Sequence, residues 1–398
     1  MKPNMRGRKQ RPLSRKTKIV SAAVGAVLVW QIAMISLAAG HSDSNNDLAA
    51  ADFAGASQAA AIAAAEQRLT ANDFDGAKVF ATNALSISVI SAASLRDLGL
   101  AEQGLGHWQR SGALFSQNAA LGWRDGPTQL WLAQAFLQQK DHGSAAQRID
   151  AALRIAPQST ALFDMLDQQI GDTGLTNAMI ERLQLNPDWR IHYLRYLNNA
   201  PLPELISRSR MLIALASSST PPSRDETIPL LYALIQADRT KLARLVWEHT
   251  QHVTIGGLYD PSFQQTGVSD MAPFEWSILP VPGANVTVNS QGPGNILSAT
   301  TDGSASGTLL RQMTALTPGD HSLTYDGTIP VAAHNAFGWR VRCTTDGRNL
   351  MNSVRESSGP PYRFNVPSTC KGQRVELLVA SSAAAAGSEV HFKKVDIN

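Results

Sequence analysis

At 398 residues the chain is long for one hydrophobic core, and the length predicts two or three folded units. Its 43% hydrophobic and 17% charged residues exclude a disordered chain. The net charge of +3 comes from one end: eight basic residues lie between Lys2 and Lys18, ahead of the first carboxylate, Asp43, and the rest of the chain holds 27 basic against 32 acidic side chains, which excludes a basic body built to bind nucleic acid.

In chain order, residues 1–18 form a basic tail and residues 19–40 carry no ionised side chain. Twenty-two residues rising 1.5 Å each reach about 33 Å, enough to cross a hydrocarbon core of about 30 Å. Basic residues on the leading flank keep that flank in the cytoplasm. The segment is therefore expected to be a transmembrane helix of a single-pass protein of the bacterial inner membrane, its body in the periplasm. A cleaved signal peptide competes, because Ala38, Ala39 and Gly40 offer a cleavage site, although the apolar run exceeds the roughly 7–15 residues of a signal core. A buried core helix is a third reading, disfavoured by the basic run. Residues 41–57, small, polar and acidic, suit a linker.

Residues 58–255 read as helix pairs punctuated by turn residues at Asn72-Asp73, Gly104 and Gly106, Asp125-Gly126-Pro127, Asp141-His142-Gly143 and Pro157. Small residues recur at Ala77, Ser111 and Ala145, each 34 positions after the last. The repeat around Ala145 also has Leu132, Ala133, Phe136, Ile149, Ala152 and Pro157; the one around Ser111 has Leu98, Gly99, Gly106, Trp108 and Phe115; the one around Ala77 has Phe74 and Ala84. In spacing and residue type these positions resemble the tetratricopeptide (TPR) repeat family over roughly residues 58–190. Departures are Glu102 at an aromatic position, Asn118 at a small one, and Ala81 where a larger apolar residue is usual. A fourth repeat is expected from Leu166 to Pro187, with Met179 at its small position. Further helices are expected at about 190–216 and 226–250, with Leu242, Leu245 and Trp247 on one buried face.

The resemblance implies a concave wall made by the first helix of each pair, onto which Arg96, Gln103, Gln134 and Gln138 would face and where they could hydrogen-bond an extended peptide or envelope protein. Ordinary solvated surface polarity is the competing reading of those four.

Residues 256–398 change character, with Gly, Pro, Thr and Asn separating short runs of period two. Alternation is clearest at Val286 and Val288; Phe337, Trp339 and Val341; Tyr362, Phe364 and Val366; Val375, Leu377 and Val379; and Val390 with Phe392. With runs near Leu297, Leu309 and Leu323 they predict about eight strands of an antiparallel β-sandwich. The phase slips between Phe392 and Val395, which predicts a bulge or a chain end. The fold class expected is thus multidomain, α then β. Cys343 continues the inward phase of Phe337, and in an oxidising compartment it would pair with Cys370; two buried thiols are the alternative.

Phe263, the Pro273-Phe274-Glu275-Trp276 opening, Leu309 to Gln312, Leu316 to Gly319 and the strand ending at Tyr325 resemble jelly-roll carbohydrate-binding and galactose-binding-like families. The resemblance implies a glycan ligand held by aromatic rings. Trp276, Trp339, Phe274 and Tyr362 nevertheless read first as core residues.

No catalytic motif stands out. The nine histidines lack metal-ligand spacing, His249 and His252 have no acidic partner, and Gly303-Ser304-Ala305-Ser306-Gly307 has alanine where a hydrolase nucleophile is needed. No phosphate loop or dinucleotide fingerprint is present, so no enzyme, cofactor or metal is expected. The function expected is a membrane-anchored envelope scaffold that binds a protein partner through its repeats, in polysaccharide assembly or export. The alternative is glycan binding through the sandwich.

Overall fold

The computed structural model describes residues 57–197, 200–265, 272–291, 294–355 and 359–398. The predicted basic tail, the membrane span and nearly all of the linker lie outside these residues. Among the described residues no helix is long and apolar enough to cross a membrane. The chain divides into two compact units, one ending at Gln169 and the other beginning at Ile170.

The described residues of the first unit hold helices and turns and no strand. Helices α1 (Gln58–Thr70), α2 (Phe74–Ile87), α3 (Ala92–Gly104), α4 (Trp108–Leu121), α5 (Gly126–Gln138) and α6 (His142–Ile155) make three pairs. The first helices begin at Gln58, Ala92 and Gly126 and the second at Phe74, Trp108 and His142, so the spacing of the small residues is also the spacing of the helices. Pairing is close because the facing positions are small. Ala77, Ser111 and Ala145 are fully buried, as are Ala65, Gly99 and Ala133 on the first helices. A Cβ added at Gly99 would stand 3.1 Å from the Phe115 ring, tighter than an ordinary contact, so a larger residue there requires the ring to give way by a few tenths of an ångström. The turns repeat as well: Asn72, Gly106 and Lys140 all adopt positive φ, and Asp73 and Asp141 then cap α2 and α6 by accepting from the N–H groups of Gly76 and Ser144. Helix α7 (Thr160–Gln169) begins one full repeat after α5, so Leu166, from which a fourth repeat is expected, takes the place of Leu132 and is likewise buried.

The second unit opens with helices α8 (Thr173–Leu183), α9 (Trp189–Arg195), α10 (Leu202–Ala216), α11 (Arg224–Gln236) and α12 (Thr240–Gln251). Helix α8 starts at Thr173, short of a full repeat after the start of α6 at His142, so the period ends there. The two long helices expected from 190 to 250 are four shorter ones. Trp247 is fully buried, as expected, on a stripe of α12 with Ala243, Val246 and Thr250, and Leu242 is half-buried, whereas Leu245, expected on the same face, is 42% exposed.

Among the described residues ten strands follow: β1 (Ser277–Ile278), β2 (Ala284–Gln291), β3 (Gly294–Thr301), β4 (Gly307–Thr314), β5 (Gly319–Thr328), β6 (Phe337–Cys343), β7 (Asn349–Asn352), β8 (Tyr362–Val366), β9 (Gln373–Val379) and β10 (Glu389–Ile397). They form two five-stranded antiparallel sheets ordered β1-β4-β9-β6-β7 and β2-β3-β10-β5-β8. The expected phase slip is a bulge: the β10–β5 register shifts between Phe392 and Lys394, and Val395 and Ile397 return to the core. Between the sheets Trp276, Trp339 and Phe392 pack with ring centroids 5.8 and 5.3 Å apart. Cys343 and Cys370 are joined in a disulfide with Cα atoms 5.7 Å apart.

Helices α11 and α12 belong to the same body as the sandwich. The Arg224 guanidinium donates to both carboxylate oxygens of Glu275 at 2.6 and 2.7 Å, and Trp247 meets Tyr259 edge to face. The Trp247 indole sits beneath Arg224 at 5.4 Å, so a cation–π contact reinforces that joint.

Candidate functional site

The wall residues singled out from sequence have distinct fates. Arg96, on α3, is largely buried, and its guanidinium donates to Asp97 Oδ1 at 2.8 Å, to Asp125 Oδ1 at 3.3 Å and to Glu66. Glu66 lies on α1 and Asp125 is the N-cap of α5, so one cation ties the first helices of all three pairs. Asp97 itself is fully buried; burial pushes its carboxyl up to about 7 against the pull of the Arg96 charge. Gln103 is buried and accepts the Trp131 indole N–H at 2.9 Å. Gln134 is half-buried and Gln138 exposed, both on α5. The structure therefore gathers Arg96 and Gln103 into internal bonding and leaves the two α5 glutamines nearer solvent.

The two departures from the repeat pattern are also internal polar joints. The buried Glu102 carboxylate meets His107 Nδ1 at 2.6 Å, Arg110 at 3.2 Å and Lys78 at 3.3 Å. Burial would raise its pKa, but the bonds from His107 and Lys78 and the charges of Arg110 and Lys78 hold it below the ordinary carboxylate range. Asn118 donates to Thr128 Oγ1 at 2.7 Å and to Asp125 at 3.3 Å, joining the second pair to the start of the third.

What the wall keeps covered, one edge of the unit leaves open. Ile87, Leu121 and Ile155 are the last residues of α2, α4 and α6, and they are 47%, 45% and 45% exposed. Val89 and Trp123, also one repeat apart, are exposed two positions further on, beside exposed Ile90. Equivalent positions in stacked pairs fall along one line, so these side chains form an apolar ridge along the turns that end each pair. Trp123 is held in place: the Arg148 guanidinium lies 3.9 Å above its ring and donates to Gln129 Oε1 at 2.9 Å. An immobilised, half-exposed tryptophan costs little ordering entropy on binding. Sequence reasoning passed over this ridge, although the spacing that marked the small core positions also runs through Ile87, Leu121 and Ile155.

On the sandwich, Trp276, Trp339, Phe274 and Tyr362 are all buried, which is the core placement. Among the described residues, no group of three or more His, Cys, Asp or Glu side chains could hold a metal ion.

No family model and no curated protein matches the chain. Among solved structures, a chain from "Crystal structure of accessory secretory protein 1,2 and 3 in Streptococcus pneumoniae" is similar at 14% identity and a TM-score of 0.24, over 36% of this chain and 98% of that one. So low a score bears on neither fold assignment nor function.

Proposed function

We propose that this protein is a non-enzymatic, membrane-anchored scaffold of the bacterial envelope, whose tetratricopeptide-type repeats dock a protein partner along the ridge at Ile87, Leu121, Trp123 and Ile155. The observation that carries the reading is the ridge itself: near-equal exposure of apolar side chains at one repeated position, with an aromatic anchor at its centre. Large apolar side chains at the same open position in three successive repeats are unfavourable in water unless a partner covers them. Gln134 and Gln138 offer hydrogen bonds on the first-helix wall to a partner that reaches around it. The span at residues 19–40 would anchor the body in the inner membrane with its repeats in the periplasm, and the disulfide is compatible with that oxidising side.

A photo-crosslinking side chain placed at Leu121 in the full chain, expressed in its own cells, should trap a discrete protein adduct. Replacing Ile87 and Trp123 with serine should abolish the adduct without lowering the melting midpoint. Persistence of the adduct in that variant would overturn the docking role of the ridge. A reporter active only in the cytoplasm, fused after Asn398, should be silent; activity would reverse the proposed topology.

A further inference from the structure

The two faces of the β1-β4-β9-β6-β7 sheet differ sharply. Leu310, Leu377, Trp339 and Val341 point inward and are fully buried, so the alternate residues of the same strands point outward. The register then lays out two rows across four strands. One row is Arg311, Glu376, Arg340 and Asn352; the next, two residues along, brings Arg374 and Arg342 side by side. Four guanidinium groups therefore share a face with one carboxylate.

That carboxylate is already engaged. Glu376 is buried and held at Oε2 by Arg340, at 2.6 Å from Nε and 2.5 Å from Nη2. Arg374 is 3.9 Å from its other oxygen, and Arg342 donates to the Gly347 carbonyl at 2.5 Å. Arg311 has no carboxylate within 4.0 Å among the described residues. Four guanidinium groups against one carboxylate leave the face with an excess of three positive charges, on a body that is otherwise net acidic.

An aromatic ring borders them. Tyr232, on α11 of the same unit, is 38% exposed, and among the described residues of that unit it is the sole exposed aromatic. Its hydroxyl lies within electrostatic reach of Arg311 and Arg374, whose charges work against the burial that pushes its ionisation up. At the opposite end of the face a recess of about 340 Å³ is lined by Arg340, Asn352, Ser306 and Thr308. Guanidinium forks match carboxylates two oxygens at a time, amides and hydroxyls bond sugar hydroxyls, and an exposed ring covers a pyranose face.

We infer that this outer sheet face, from Tyr232 across Arg311, Arg374, Arg342 and Arg340 to the recess at Asn352, binds a polysaccharide bearing carboxylates. Neighbouring strands stand about 4.8 Å apart, so Arg311 and Arg340, separated by β9, are about 10 Å apart and would meet spaced carboxylates rather than adjacent ones. Duplex nucleic acid presents one phosphate per about 1.7 Å and draws on a longer basic track than three charges on an acidic body. This binding is independent of the repeat ridge, so failure of either assignment leaves the other standing.

The test uses the full chain in detergent with polygalacturonate oligomers as probe and their methyl esters as neutral control. The acid form should bind, more weakly as salt rises, and the ester should not. Arg311→Ala with Arg374→Ala should weaken binding at least tenfold, and Tyr232→Ala severalfold. These two arginines are chosen because Arg340 keeps Glu376 paired when they are gone. If the double variant melts early, Arg374→Gln alone carries the measurement and should weaken binding about threefold. Equal binding of acid and ester, no binding of the acid form, or unchanged affinity in stably folded variants would each overturn the inference. Tighter retention of single-stranded DNA than of polygalacturonate would overturn the assignment to a polysaccharide.

Discussion

The repeat unit and the sandwich bury their cores by opposite routes. In the repeats the contact residues are alanine, glycine and serine, each facing a helix close by in sequence, and backbone approach replaces side-chain bulk. In the sandwich the contacts are large aromatics and β-branched residues brought together from afar; Ser298 bonds His391 across 93 positions. Local contacts make a structure that yields piecewise, while long-range pairing makes one that holds or fails as a whole. The same chain should therefore show two kinds of response to damage.

The largest effect is expected at the centre of the sandwich. Trp339→Ala removes a fully buried ring that touches Trp276 and Phe392, and should cost about 3–5 kcal/mol in denaturant unfolding of that unit. Trp339→Phe should cost much less, because the indole N–H it removes is buried without a hydrogen-bond partner among the described residues. Equal losses for the two would mean that ring volume is not what the core needs.

Next comes the cross-link. Cys343→Ser with Cys370→Ser opens a loop of 27 residues and should cost about 3–4 kcal/mol by chain entropy. The loss should appear in the sandwich and leave the repeat transition where it was. Thiol labelling of the denatured, unreduced wild type should find no free cysteine.

In the repeat unit the pH dependence isolates Asp97. Its folded pKa, raised by burial to about 7, exceeds an unfolded value of about 3.9, so the folded state holds the proton more tightly. Its contribution, on the order of 2–4 kcal/mol, is full below about pH 4 and is lost as pH rises through about 7. Asp97→Asn should flatten the urea midpoint across that window. A wild-type midpoint that rises with pH there would contradict the sign.

The smallest effect is packing between paired helices. Ala145→Leu should overpack the α5–α6 contact and cost about 1–3 kcal/mol, confined to the repeat transition. An unchanged melting midpoint would contradict the repeat register.

Periodicity made the repeats legible: turn aspartates at 73, 125 and 141 are the caps, and the small residues at 77, 111 and 145 are the helix contacts. All eight strands expected from alternation are present. The two strands missed, β1 and β7, are two and four residues long and lie at sheet edges, too short to show a period. Long-range polar geometry was not legible. Nothing near Arg96 announces that Glu66 and Asp125 meet it, and nothing in the α11 sequence places Tyr232 by Arg311. Those neighbours are set by how elements stack, which single-sequence pattern does not encode.

Arg96 also assigns the three helix pairs an order. A run of identical pairs could be lengthened, shortened or shuffled one whole pair at a time with every turn preserved. Here the middle pair carries the cation and its neighbours on either side carry Glu66 and Asp125, so each pair is keyed to its place. A duplicated middle pair would set two arginines in succession, and a deleted one would leave two carboxylates facing with nothing between. The arrangement works as an address: repeats alike in backbone are made non-interchangeable by a single charge, without any change to their turns.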